Sequence, residues 1–202
     1  MKSFFILVLL CFFLLPCKGQ TTIAQSGENT GISFTFPWLN YYRYVDYHKH
    51  ASNRKFGFFG IGFSAYYKKN EHKFAFSCST TEDLTSPIAV INYSKTDIKT
   101  SIGSSFFELT YHRSLYNDFY FIGGFNFTNY NFRVSSTMDS IKSYKKVDQT
   151  LGVSVGMEYR FNNYYSVAAV YRPALASFET DAKYRHLINV ELRIDLDFKK
   201  KK

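Results

Sequence analysis

His112-Arg113-Ser114, with Glu108 four residues upstream, combines the residue types used in nucleophilic catalysis. Two apart on an extended strand, His112 and Ser114 share a face, where a carboxylate can orient an imidazole that takes the proton from a hydroxyl. A second set is charged: Glu108, Glu158, Arg160, Glu191, Arg193 and Asp195 each fall on the polar row of an alternating segment. A third is the run from Tyr41 to Lys55, in which Arg43, Tyr44, Tyr47, His48, Lys49 and His50 mix basic and aromatic groups. Such a mixture suits phosphates, sugars or a protein partner. His48 and His50 have no third ligand in reach, so no metal site is expected. No phosphate-cradling Gly-rich loop, nucleotide fingerprint or His-Glu-x-x-His occurs, so no cofactor is expected.

Strands must position these groups. From Ile188 to Phe198, Ile188, Val190, Leu192, Ile194, Leu196 and Phe198 alternate with Asn189, Glu191, Arg193, Asp195 and Asp197. One face is therefore apolar and the other polar. Leu151–Phe161 repeats the phase, and Gly57–Tyr67 and the segment around Ser104–His112 carry small or polar residues on the second row. Residues 119–132, 164–175 and 74–80 read as further strands. Ile32–Phe36 opens the series, and Pro37 ends that strand or marks its edge. The count is eight. Short polar turns (68–71, 114–117, 162–163) alternate with longer connections (39–55, 82–99, 134–147, 178–183).

Composition limits the alternatives. The chain has 202 residues, 20% of them aromatic, including 22 Phe and 17 Tyr but one Trp. It is too aromatic for disorder, and its mean hydropathy of -0.22 is too polar for helical membrane spans. Met1-Lys2, the apolar stretch Phe4–Pro16 and Cys17-Lys18-Gly19 read as a signal peptide over 1–19, leaving a barrel domain over 20–202. A retained anchor would need ~20 apolar residues, more than this run offers. A lipoprotein anchored at Cys17 would have Pro16 where a small residue is wanted. Cleavage would lower the formal charge from +9 to +7 by removing Lys2 and Lys18, and would leave Cys78 as the only cysteine, without a disulfide partner. Export also argues against a nucleic-acid partner.

Alternation alone does not say which face meets water, because a soluble lipocalin-like barrel keeps its apolar row inside. The polar rows are mostly Gly, Ser, Thr and Asn with isolated charges, which suits a narrow lumen filled by side chains better than a surface facing water. The expectation is an all-β fold, an eight-stranded antiparallel up-and-down transmembrane β-barrel. Aromatics beside the short turns, such as Tyr66, Tyr67, Tyr111, Tyr159 and Phe161, would form an interfacial girdle.

With its leader, strand phasing and alternating connections, the chain resembles the small outer-membrane β-barrel proteins, the class of the OmpA-type transmembrane domain and the OmpX and OmpW types. The hairpin from Gly156-Met157-Glu158-Tyr159-Arg160-Phe161 through Tyr171-Arg172 looks like those near the end of such barrels, and Gln20 is similar to exported proteins of Bacteroidetes-type bacteria. The resemblance implies a Gram-negative outer membrane, both termini and the short turns in the periplasm, contact with lipid and lipopolysaccharide, and insertion by the barrel-assembly machinery. That machinery reads a terminal aromatic; here Phe198 has the register but Lys199–Lys202 follow.

His112-x-Ser114 also resembles lipid A deacylases of the PagL type, although Leu115-Tyr116 stand where that pattern has Asn-Ala. The leading functional expectation is a closed barrel plugged by the charged set, with interaction-bearing outer connections and a structural, adhesive or envelope role. A deacylase-like enzyme and a narrow channel are the alternatives.

Overall fold

Period-two alternation of large apolar with small or polar residues gives extended segments with two unlike faces, and the chain satisfies both by rolling them into a hoop. The computed structural model describes residues 28–43, 54–83, 98–116, 118–136, 142–178 and 185–199. Its strands are β1 (Glu28–Arg43), β2 (Arg54–Gly57), β3 (Phe59–Lys69), β4 (His72–Glu82), β5 (Ile98–Tyr116), β6 (Phe119–Ser136), β7 (Tyr144–Arg160), β8 (Tyr165–Ser177) and β9 (His186–Lys199). Only Phe58 separates β2 from β3, and both pair with β1, so together they make one stave. The nine elements thus form eight staves, each antiparallel to the next, and β1 pairs with β9 to close the barrel.

Large apolar side chains cover the outside. Phe125 and Leu175 are each 71% exposed, and Phe34, Phe36, Phe63, Phe76, Leu109, Leu151 and Leu192 point the same way. The other row is buried, including Ser104, Thr110, Ser154, Glu158 and Glu191. This is the inverse of a lipocalin and matches a wall surrounded by lipid.

The short connections are built by specific residues. Asn70, with φ 54°, takes the left-handed conformation that lets β3 turn into β4, a conformation Asn tolerates well. Between β7 and β8, Asn162 Oδ1 accepts the backbone N–H groups of Tyr164 (2.8 Å) and Tyr165 (2.9 Å). The turn expected over 114–117 is tighter, because β5 runs to Tyr116. β1 starts and β9 finishes at this same short-turn end.

The first strand departs from expectation. It continues past Pro37 to Arg43, with Trp38 as an extra residue between the pairs Pro37↔Glu191 and Leu39↔Val190. The bulge exchanges faces: Gly31, Ser33 and Thr35 point inward below it, Asn40 and Tyr42 above it. Pro37 has no N–H to donate, and pairing with the second stave lapses between Thr35↔Gly62 and Asn40↔Gly57. Asn40 Nδ2 spans that gap by donating to the carbonyls of Phe59 (2.9 Å) and Pro37 (3.3 Å). β5 likewise starts at Ile98, at the edge of the connection expected at 82–99, and β6 and β7 reach to Ser136 and from Tyr144 inside the one expected at 134–147.

Candidate functional site in the barrel lumen

Inward-pointing side chains fill the barrel in three zones. Nearest the short turns, Lys73 Nζ of β4 lies 2.7 Å from Asp195 Oδ2 of β9 and 4.2 Å from the centre of the Tyr66 ring. The Tyr66 hydroxyl donates to Asp197. Gly31 makes room for this, since a Cβ there would collide with the Tyr66 hydroxyl. Arg160 donates from Nε to Glu158 Oε1 at 3.0 Å and stacks over Tyr120, 4.1 Å from the ring centre.

The middle zone is a continuous chain of charge. Glu158 Oε2 receives Arg193 Nη1 at 3.2 Å and lies 2.9 Å from His112 Nδ1. Arg193 Nη2 donates to Glu191 Oε2 at 2.7 Å, and Glu191 Oε1 accepts from Arg172 Nη2 at 2.8 Å. Arg172 also grips both oxygens of Glu108 and donates to Asn189, which is in turn bonded to Asn40. The Arg172 guanidinium sits 4.3 Å from the Phe106 ring centre. Lys73, Arg160, Arg172 and Arg193 thus face Glu108, Glu158, Glu191 and Asp195, so the formal charges cancel. A buried ion without a partner costs several kcal/mol (~3–5 on removal of one member), which is the physical reason for this balance.

Toward the long connections the lumen becomes apolar. Tyr42, Ile102, Phe106, Tyr130, Phe132 and Leu187 pack together, and the Tyr42 hydroxyl donates to Thr81 Oγ1 at 2.7 Å. Above this layer Arg185 is ion-paired to Asp148, which also accepts from Ser177 at 3.0 Å.

The six charges read from the sequence all point inward, and four of them, Glu158, Arg160, Glu191 and Arg193, are joined directly to one another. Asp195 meets Lys73, with Arg160 at 3.9 Å. Glu108 joins through Arg172, the hub of the chain and absent from the expected set. Its signal was its phase: Ser166, Ala168 and Val170 precede it on the same inward row. Lys73 shares a row with Ala75 and Ser79 in the same way. Arg185 and Asp148 fall at or beyond strand ends as drawn from alternation, where phase carries no information.

The catalytic arrangement is assembled differently from expectation. Glu108 turns to Arg172, and His112 is held from the other side by Glu158, with its Nε2 3.1 Å from Thr110 Oγ1. Both ring nitrogens are engaged. Ser114 is half-buried, its backbone N–H donates to the Glu71 carbonyl at 3.2 Å, and among the described residues no hydrogen bond joins it to His112. Arg43 is the exposed last residue of β1; Tyr44, Tyr47, His48, Lys49 and His50 lie outside the described residues. Among the described residues no cluster of His, Cys, Asp and Glu could hold a metal ion.

A closed antiparallel hoop of eight staves with an apolar exterior and a charge-filled interior defines a small outer-membrane β-barrel. Residues 7–193 match the family model for the outer membrane protein beta-barrel domain, and the chain belongs to that family, proteins of the Gram-negative outer membrane. Ail, the attachment invasion locus protein of Yersinia pestis, is similar over 85% of this chain and 100% of its own at 12% identity, with a TM-score of 0.54. A major outer membrane protein from Thermus thermophilus is similar over 85% and 99% at 8% identity, with a TM-score of 0.50. These likenesses concern the fold. Curated proteins give no match.

Proposed function

We propose that this protein is a closed, non-conducting barrel in which the lumenal charge chain acts as an internal strut and the long connections carry the biological interactions, in a structural or adhesive role at the envelope. The chain from His112 through Glu158, Arg193, Glu191 and Arg172 to Glu108 supports this reading, since it links β5, β7, β8 and β9 across the lumen. Eight strands enclose a lumen that side chains of this size fill. In this reading residues 1–19 are an export signal, the short turns face the periplasm, and the long connections face outward. The barrel-assembly machinery would insert the chain through β9.

A non-catalytic role fits the engagement of both His112 nitrogens by Glu158 and Thr110. The Ail barrel has been solved in complex with the heparin analogue sucrose octasulfate, at 10% identity and a TM-score of 0.50 to this chain. Together with the basic and aromatic run from Arg43 to Lys55, it makes a sulfated sugar the first ligand to test on the outer connections. Planar-bilayer recording tests the closed lumen. Silent membranes containing folded protein are the expected outcome, and steady single-channel steps would overturn the strut.

A further inference from the structure

On the outer surface of the wall, strand register sets like charges face to face. Arg133 of β6 is directly opposite Lys145 of β7, and both side chains are exposed and outward-facing. Opposed residues in an antiparallel pair hold their Cβ atoms only ~4.5–5.5 Å apart, and like charges so placed repel. Among the described residues neither side chain has a hydrogen-bond or ion-pair partner. The outward carboxylate described at this end of the sector, Glu82, is on β4, two strands from Arg133. Ser143 Oγ accepts the Ser136 N–H at 3.0 Å and holds the ladder closed beside the pair.

Position along the strands identifies what these cations face. Cys78, Phe107, Phe127 and Leu151 form one outward row across β4 to β7, and the next row toward the long connections is Thr80, Ser105, Asn129 and Gln149. The apolar belt ends between a row of large apolar groups and a row of hydroxyls and amides. Arg133 and Lys145 stand four pairings further on, past Asn131 and Val147. Long cationic side chains at such a place lie along the wall with their heads among lipid headgroups. Across the hoop a second pair of like charges is opposed in register: Arg43 and Arg54, two pairings beyond the outward rings of Tyr41 and Phe56.

We propose that Arg133 and Lys145 form a binding site for a phosphate group of the outer-leaflet glycolipid, a phosphorylated lipid A. The inference rests on the orientation proposed above, with the long connections outside. A guanidinium presents a planar fork to two phosphate oxygens and an ammonium adds a point charge, so one anion between them turns repulsion into two charge-assisted contacts. Free phosphate shares that chemistry but would not be held at the membrane boundary.

The test uses the full chain folded in phosphatidylcholine vesicles, alone, with diphosphoryl lipid A, with dephosphorylated lipid A, or with inorganic phosphate in the buffer. The readout is the temperature at which the compact band on an unboiled gel disappears. Diphosphoryl lipid A is expected to raise that temperature, and Arg133→Gln with Lys145→Gln is expected to lose the larger part of the rise while behaving normally in plain vesicles. A rise reproduced by dephosphorylated lipid A, or retained by the double variant, overturns the site. An equal rise with inorganic phosphate overturns the assignment to lipid.

If the double variant does not fold, mass spectrometry of the detergent-extracted wild-type protein decides. Retention of diphosphoryl over dephosphorylated lipid A that falls as salt is raised supports the site, and salt-independent retention overturns it. Lipid A occupies both leaflets of these vesicles, so the result does not depend on orientation. Cleavage of residues 44–53 by added protease reads orientation separately, and conductance reads the strut.

Discussion

Arg172 holds Glu108 with two parallel hydrogen bonds, Nε to Oε1 at 2.9 Å and Nη2 to Oε2 at 3.0 Å, although the two are 64 positions apart in the chain. The same guanidinium reaches Glu191 and Asn189, so one side chain on β8 fixes partners on β5 and β9.

Replacing Arg172 by Met should therefore cost about 3–5 kcal/mol, since it leaves Glu108 without its partner and takes one of two cations from Glu191. Urea unfolding of the folded protein in lipid vesicles checks this. The added change Glu108→Gln should recover part of the loss, because it removes the stranded charge along with its partner.

On the proposed reading the chain of charge also blocks the lumen. With Glu158→Gln and Glu191→Gln together, Arg193 loses both carboxylates that hold it. Planar bilayers that are silent with wild-type protein should then show brief, anion-favouring openings.

On the outer wall the cost of a charge should depend on its depth. Phe125, 71% exposed on the apolar belt, should cost ~2–4 kcal/mol when changed to Lys if it sits near the bilayer midplane. Equilibrium unfolding measures the loss. Asn129→Lys, one row above the belt on the same strand, should cost much less.

Ser114→Ala should leave the acylation of lipid A unchanged, as read by mass spectrometry of lipid A from cells expressing either form. The expectation follows from the absence of a Ser114–His112 hydrogen bond among the described residues and from the engagement of His112 by Glu158.

Alternation made the staves legible wherever one face is lipid and the other lumen, as in Leu151–Phe161 and Ile188–Phe198. It failed in two places. At Pro37 and Trp38 the bulge reverses the phase, so Asn40 and Tyr42 are inward residues that a fixed count would place outside. Above the apolar belt the polarity inverts, with Asn129, Asn131 and Arg133 outward and Tyr130, Phe132 and Val134 inward, so the ends of β6 and β7 inside the connection expected at 134–147 do not continue the apolar-outward pattern. The site was half legible for the same reason: phase gave Glu158, Glu191 and Arg193, but which charge meets which depends on the stagger of strands around the hoop. That stagger sends Glu108 to Arg172 and His112 to Glu158.

The seam between β1 and β9 has a consequence for synthesis. Fourteen residue pairs across it join the first stave to the last, so every shorter chain is an open sheet with two unpaired edges, able to template on its neighbours. The longest-range contacts are needed to remove those edges, and contacts of that kind form slowly. A nascent barrel of this design therefore keeps both edges open until His186–Lys199 arrives, and the fourteen residues of β9 alone cover them.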